Sequence, residues 1–259
     1  MTKFSNLFKA MSGSKFRSIH QLMLLELAAV VISSVWSLVR GDFSSATLFY
    51  SVMGWSIIPY LVSFVLLSVR NEQAFTRDTF RLVPMKDSVF YAVNLLSTFV
   101  SFLYLLVLQA VLMLVTALIG WSTLSPIYDD MQMNIQQFSR FGTNPVGACL
   151  GMLAVMLVIY LLAWSTVSLV HLITSAASSY LPRARQRLVN GIVYVVMILL
   201  TFRVVSFLMG QVAWISTSLM GNTTVNSWWV GLLVMVIIIV VETVANIFLL
   251  SKWVETAAN

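Results

Sequence analysis

The chain has 259 residues, 59% of them apolar and only 9% charged, with a mean hydropathy of +0.93. A soluble globular domain carries about 25% charged residues, so a soluble enzyme or binding domain is excluded, and no polar stretch is long enough to fold separately. The net charge of +6 would suit nucleic acid in a soluble protein; in so apolar a chain it reflects basic cytoplasmic loops.

From the N-terminus, Phe4, Leu7, Phe8 and Met11 recur at i, i+3, i+4 and i+7 with Lys3 and Lys9 between them. That spacing predicts an amphipathic helix over residues 1–14 in the inner headgroup layer, with Gly13-Ser14 turning the chain into the first span. A transmembrane helix needs about 20 mostly apolar residues. Six segments qualify: 19–39, 46–69, 93–119, 147–173, 188–209 and 228–251. The first is too long for a cleaved signal peptide. Pro59 is expected to kink the second. The third is expected to begin near Asp87, because no charge lies between Ser88 and Tyr128. The fourth contains Cys149, the sole cysteine, which allows no internal disulfide, and a Gly147/Gly151 pair suited to close packing. The uncharged connection from Gly210 to Ser227 fits either a re-entrant hairpin or a loop lying on the interface.

Of the fifteen lysines and arginines, twelve fall at the two termini, in the insert after the second span and in the loop after the fourth. The positive-inside rule then places both termini and these two loops in the cytoplasm. The fold class expected is an all-α integral membrane protein of six transmembrane helices, forming a single domain over 1–259.

The motifs of soluble chemistry are missing. No G-x-x-x-x-G-K-[ST], H-E-x-x-H or G-x-S-x-G occurs, and two histidines with one cysteine make no plausible zinc site. Catalytic residues, metal ligands and a cofactor bound by this chain are therefore not expected, which leaves transport, binding or scaffolding.

The insert Arg70–Ser88 concentrates four bases and three acids between two apolar runs. Glu72 to Leu82 is long enough for about three helical turns, with Glu72 early and Arg81 late, as the helix dipole favours. Pro84 ends it, and Tyr91 suits the interface at re-entry. A short mixed-charge helix over 72–83 with exposed aromatics would fit a groove on a cytoplasmic partner.

Together with the N-terminal helix and the six spans, this insert resembles the permease subunits of bacterial type-2 ABC exporters. The loop after their second span forms a coupling helix marked by an acid, a hydrophobic-hydrophobic-Pro turn, a base and an aromatic re-entry. Here those positions read Glu72, Leu82-Val83-Pro84, Lys86 and Tyr91, while Gln73-Ala74 stand where that family has Gly-Thr. The resemblance implies two copies of a cytoplasmic ABC ATPase carrying ATP and Mg, and a second permease, identical or homologous. It makes Glu72, Phe75, Thr76, Arg77, Asp78, Phe80 and Arg81 the ATPase-coupling residues, with Phe75 and Phe80 as aromatic anchors. The function implied is ATP-driven export of a hydrophobic or amphipathic solute across the bacterial cytoplasmic membrane, peptide before drug or lipid. A substrate-capture subunit of an importer is the alternative, and the charged insert argues against it.

Glu26, Arg203 and Glu242 lie within spans, where a charge must be paired or hydrated. The rise per residue puts the two acids roughly 12–14 Å from the inner edge and Arg203 roughly 22 Å. The first expectation is a Glu–Arg clamp; a cavity handling cationic solute groups is the second.

Overall fold

The structure is a computed structural model that describes residues 4–76, 85–126, 145–178, 195, 206 and 224–252. Its long helices are α1 (Phe4–Arg40), α2 (Thr47–Trp55), α3 (Ile57–Thr76), α4 (Asp87–Ile119), α5 (Pro145–Ser178) and α6 (Thr224–Lys252). No strand occurs among the described residues. Five stretches are long and apolar enough to cross a bilayer: Phe4–Arg40, Thr47–Phe75, Asp87–Ile119, Leu153–Ala176 and Gly231–Lys252. The protein is an all-α membrane protein. Apart from positions 195 and 206, the expected span 188–209 lies outside the described residues.

Which face of each helix is buried follows from the solvent being lipid. Between helices in lipid there is no hydrophobic driving force, so packing and hydrogen bonds decide. On α1 the buried face therefore carries Lys15, Ser18, Glu26 and Ser34, while Leu24, Leu25, Ile32 and Val39 point outward. On α4 the buried residues Asn94, Ser97, Thr98 and Ser101 follow the i, i+3, i+4, i+7 spacing of one helical face.

Two expected breaks are not there. Helix α1 runs unbroken through Gly13 and Ser14, so residues 4–14 continue the first span's helix and do not form a separate interfacial one. A helical glycine costs about 1 kcal/mol, and the buried stripe Leu7, Met11, Lys15, Ile19 carries the helix past it. At 37 residues α1 is about 55 Å long, well beyond the ~30 Å hydrocarbon core. Likewise α3 continues through Glu72 to Thr76, so Glu72 stands near the end of the second span's helix, not in the first turn of a new one. No proline or glycine intervenes between Pro59 and Pro84 to stop it.

The expected effect of Pro59 is present as a break, with α2 ending at Trp55 and α3 starting at Ile57. Proline lacks an N–H and crowds the carbonyl four residues back, which here is Trp55. Helix α1 ends in a Schellman motif: Gly41 has φ +79°, its N–H donates to Leu38 O, and the Asp42 N–H donates to Ser37 O. At opposite ends of the chain Arg40 sits 5.0 Å from the Trp36 ring centre and Lys252 4.9 Å from that of Phe248. Such cation–π pairs suit helix ends at a membrane interface.

The chain divides into two compact units, Met1–Gln73 with Ala92–Ile135, and Ala74–Tyr91 with Gln136–Asn259. In the first, the α4 end is seated on the α1–α2 connection. Ser45 Oγ lies 2.6 Å from Thr123 Oγ1, and a Cβ at Gly120 would come within 2.8 Å of Ser45 O and 3.0 Å of Ala46 Cα. Both are backbone atoms, so Gly120→Ala must push the connection away, at an expected ~1–3 kcal/mol. Gly13 has nothing within 4 Å, and Gly13→Ala is expected to stabilise α1 by up to about 1 kcal/mol. Thermal unfolding of the two variants in detergent should move in opposite directions; a shared direction would refute the packing at Gly120.

Candidate functional site

In the first unit, polar side chains from three helices meet around one lysine. Lys15 is 2% exposed, although composition alone placed it among solvated bases. Its Nζ donates to Asn94 O (3.1 Å), Asn94 Oδ1 (3.0 Å), Ser97 Oγ (2.6 Å) and Thr98 Oγ1 (2.8 Å). Four acceptors surround a group with three N–H bonds, so the ammonium is held from every side. The network extends to α3: Asn94 Nδ2 donates to Asn71 O (2.8 Å), and Thr98 Oγ1 lies 3.1 Å from Asn71 Oδ1. The Asn71 amide in turn donates to Glu72 Oε1 at 3.0 Å, and the Arg70 guanidinium donates to Ser14 O on α1. The ends of α3 and α4 that flank residues 77–84 are thus tied to each other and to α1.

Further along α1 in the same unit, His20 Nδ1 lies 3.0 Å from Phe16 O and its Nε2 2.9 Å from Tyr104 Oη. A carbonyl only accepts, so Nδ1 carries a proton, and Nε2 is held by the tyrosine hydroxyl. Next comes Glu26, 4% exposed, whose Oε2 accepts from Gln109 Nε2.

The second unit contains the other intramembrane acid. Glu242 Oε1 accepts from Thr166 Oγ1 at 2.8 Å. One turn on, Asn246 donates from Nδ2 to Tyr91 Oη (2.8 Å) and Ser165 O (3.0 Å). Tyr91 is fully buried, not interfacial as its position suggested. Phe75 stacks on it with ring centres 5.7 Å apart and planes at 10°, and meets Phe90 edge-on at 6.1 Å. Phe75 is also fully buried. The expectation of an exposed aromatic anchor at this position is corrected: its ring is used within the chain, because α3 continues far enough to lay it on Tyr91.

Of the expected coupling residues, Glu72, Phe75 and Thr76 end α3, while Arg77, Asp78, Phe80 and Arg81 lie outside the described residues. Of the intramembrane trio, Glu26 and Glu242 belong to different units, each with an uncharged partner, and Arg203 lies outside the described residues. Sequence reasoning missed Lys15, Asn71, Asn94, Gln109 and Asn246. A signal was present in the polar stripe of α4, whose spacing marks one face of an otherwise apolar helix. Among the described residues no three histidines, cysteines or acids cluster as metal ligands.

Compared with protein families, curated proteins and solved structures, the chain shows no match.

Proposed function

We propose that this chain is the permease subunit of an ABC exporter, moving a hydrophobic or amphipathic solute, peptide before drug or lipid, out across the bacterial cytoplasmic membrane. ATP and Mg act on two copies of a separate cytoplasmic ATPase, and a second permease completes the pathway. Both termini and the insert after the second span face the cytoplasm in this reading.

The observation that carries it is the base of the insert. A connector that merely joins two spans has no need of a fixed root. Here Asn71 on α3 and Asn94 on α4 bond each other, and Lys15 locks Asn94 to α1. Motion carried into the ends of α3 or α4 would therefore reach α1 as well, which is what a coupling element requires. In this role Arg77 and Arg81 pair with acids on the ATPase, and Phe80 supplies the aromatic anchor.

The test is purification of the tagged chain from its native membrane. Wild type should bring down an ATP-hydrolysing subunit. Phe80→Ala with Arg81→Ala should still insert, because no span is touched, yet lose most of that partner, since such anchors contribute about 2 kcal/mol or more. A chain that purifies with no ATPase, or a double variant that retains it and transports normally, would refute the exporter reading.

A further inference from the structure

The contact between Glu26 and Gln109 lacks one hydrogen. Gln109 uses both N–H bonds of its amide, one toward Glu26 Oε2 and one toward Met23 Sδ at 3.7 Å. Its own Oε1 is buried with no donor, and so is Glu26 Oε1. Two acceptor oxygens are thus left on two side chains already joined by one hydrogen bond. Turning the amide end for end would aim its oxygen at the carboxylate, which again asks for a hydrogen between them. Glu26 and Gln109 are both buried, and so are the two orphaned oxygens.

We propose that Glu26 and Gln109 form a proton-binding site, in which Glu26 is the neutral acid and its hydroxyl donates to the Gln109 carbonyl oxygen. A carboxylic acid and a primary amide then complete a pair of hydrogen bonds across α1 and α4. The ligand is a proton, because a hydrogen is what two acceptor oxygens lack. The described charged and titratable groups on the packed elements do not compete for the site. On α1 the nearest is His20, six residues away or about 9 Å along the axis and bonded to Tyr104, with Arg17 and Lys15 beyond it. Helix α2 offers Tyr50, and α4 offers Tyr104. Loss of the proton would set a carboxylate against an amide oxygen, so the site makes the α1–α4 contact dependent on it. The inference does not depend on the exporter reading.

Infrared spectroscopy of the full chain in lipid vesicles at neutral pH tests it, with Glu242→Gln as the background so that the other acid deep within a span does not contribute. Subtracting the spectrum of the added Glu26→Gln variant should leave a carboxylic-acid C=O band that shifts in heavy water. Gln109→Leu should move that band to higher frequency, as a freed acid group requires. Glu26→Gln should also unfold at the background's temperature, because a second amide reproduces both hydrogen bonds of the neutral acid. A carboxylate band in place of the acid band, as a pairing with Arg203 would produce, overturns the proposal. Marked unfolding of Glu26→Gln overturns it equally.

Discussion

Lys15→Met is expected to lower the stability of the protein by about 1–3 kcal/mol, the range for leaving buried acceptors without their donor. Methionine fills much of the same volume, so the loss measures the ammonium and not a cavity. Without it, Asn94 Oδ1 loses its only described donor, and the oxygens of Ser97 and Thr98 lose theirs, in a place where water does not replace them. Lys15→Arg should rescue little, since a planar fork does not fit four oxygens converging on one point. Thermal unfolding in detergent measures both variants. Combining Lys15→Met with Asn94→Leu should cost less than the two single losses added, with a coupling of about 0.5–3 kcal/mol. If Lys15→Met unfolds within about 1 kcal/mol of wild type, the lysine is a solvated surface base and the fixed root of the insert is lost with it.

Phe75→Ala should be the second large loss, about 3–5 kcal/mol, as for other buried phenylalanines cut back to alanine. The ring has no exposed surface, and its contacts with Tyr91 and Phe90 hold the end of α3 beside the start of α4. Phe75→Leu keeps most of the volume and should cost under about 1.5 kcal/mol for packing plus about 0.5–1.5 kcal/mol for the aromatic pairs. The functional consequence is direct. A Phe75→Ala variant that loses a partner reports damage to its own helix ends, so Phe80, Arg77 and Arg81 are the informative positions for the coupling contact. Wild-type unfolding of Phe75→Ala would show the ring to be free at the surface and return it to the list of anchors.

Five of the six expected spans overlap stretches of the described helices that are long and apolar enough to cross a bilayer, and α4 begins at Asp87. The second is present with a break at Ser56 that Pro59 explains. These features are local: a run of apolar side chains, or one missing N–H, decides them wherever the helix packs. The acids at positions 26 and 242 were legible as residues needing partners for the same reason, because the cost of a charge in lipid depends on depth before it depends on neighbours.

The partners were not legible. Gln109 is 83 residues from Glu26, and Asn94 is 79 from Lys15. Composition treats a lysine near a terminus as solvated, and only the docking of α1 on α4 turns it into a buried cation. The same holds for Phe75 and Tyr91, which look like surface and interface aromatics until α3 continues past Arg70 and places one ring on the other. What the sequence by itself determined is that the apolar segments are helices suited to a membrane, because backbone hydrogen bonds must close within each segment. What only the tertiary structure decided is which polar groups meet, because in lipid the faces of apolar helices are equivalent until side-chain hydrogen bonds select among them.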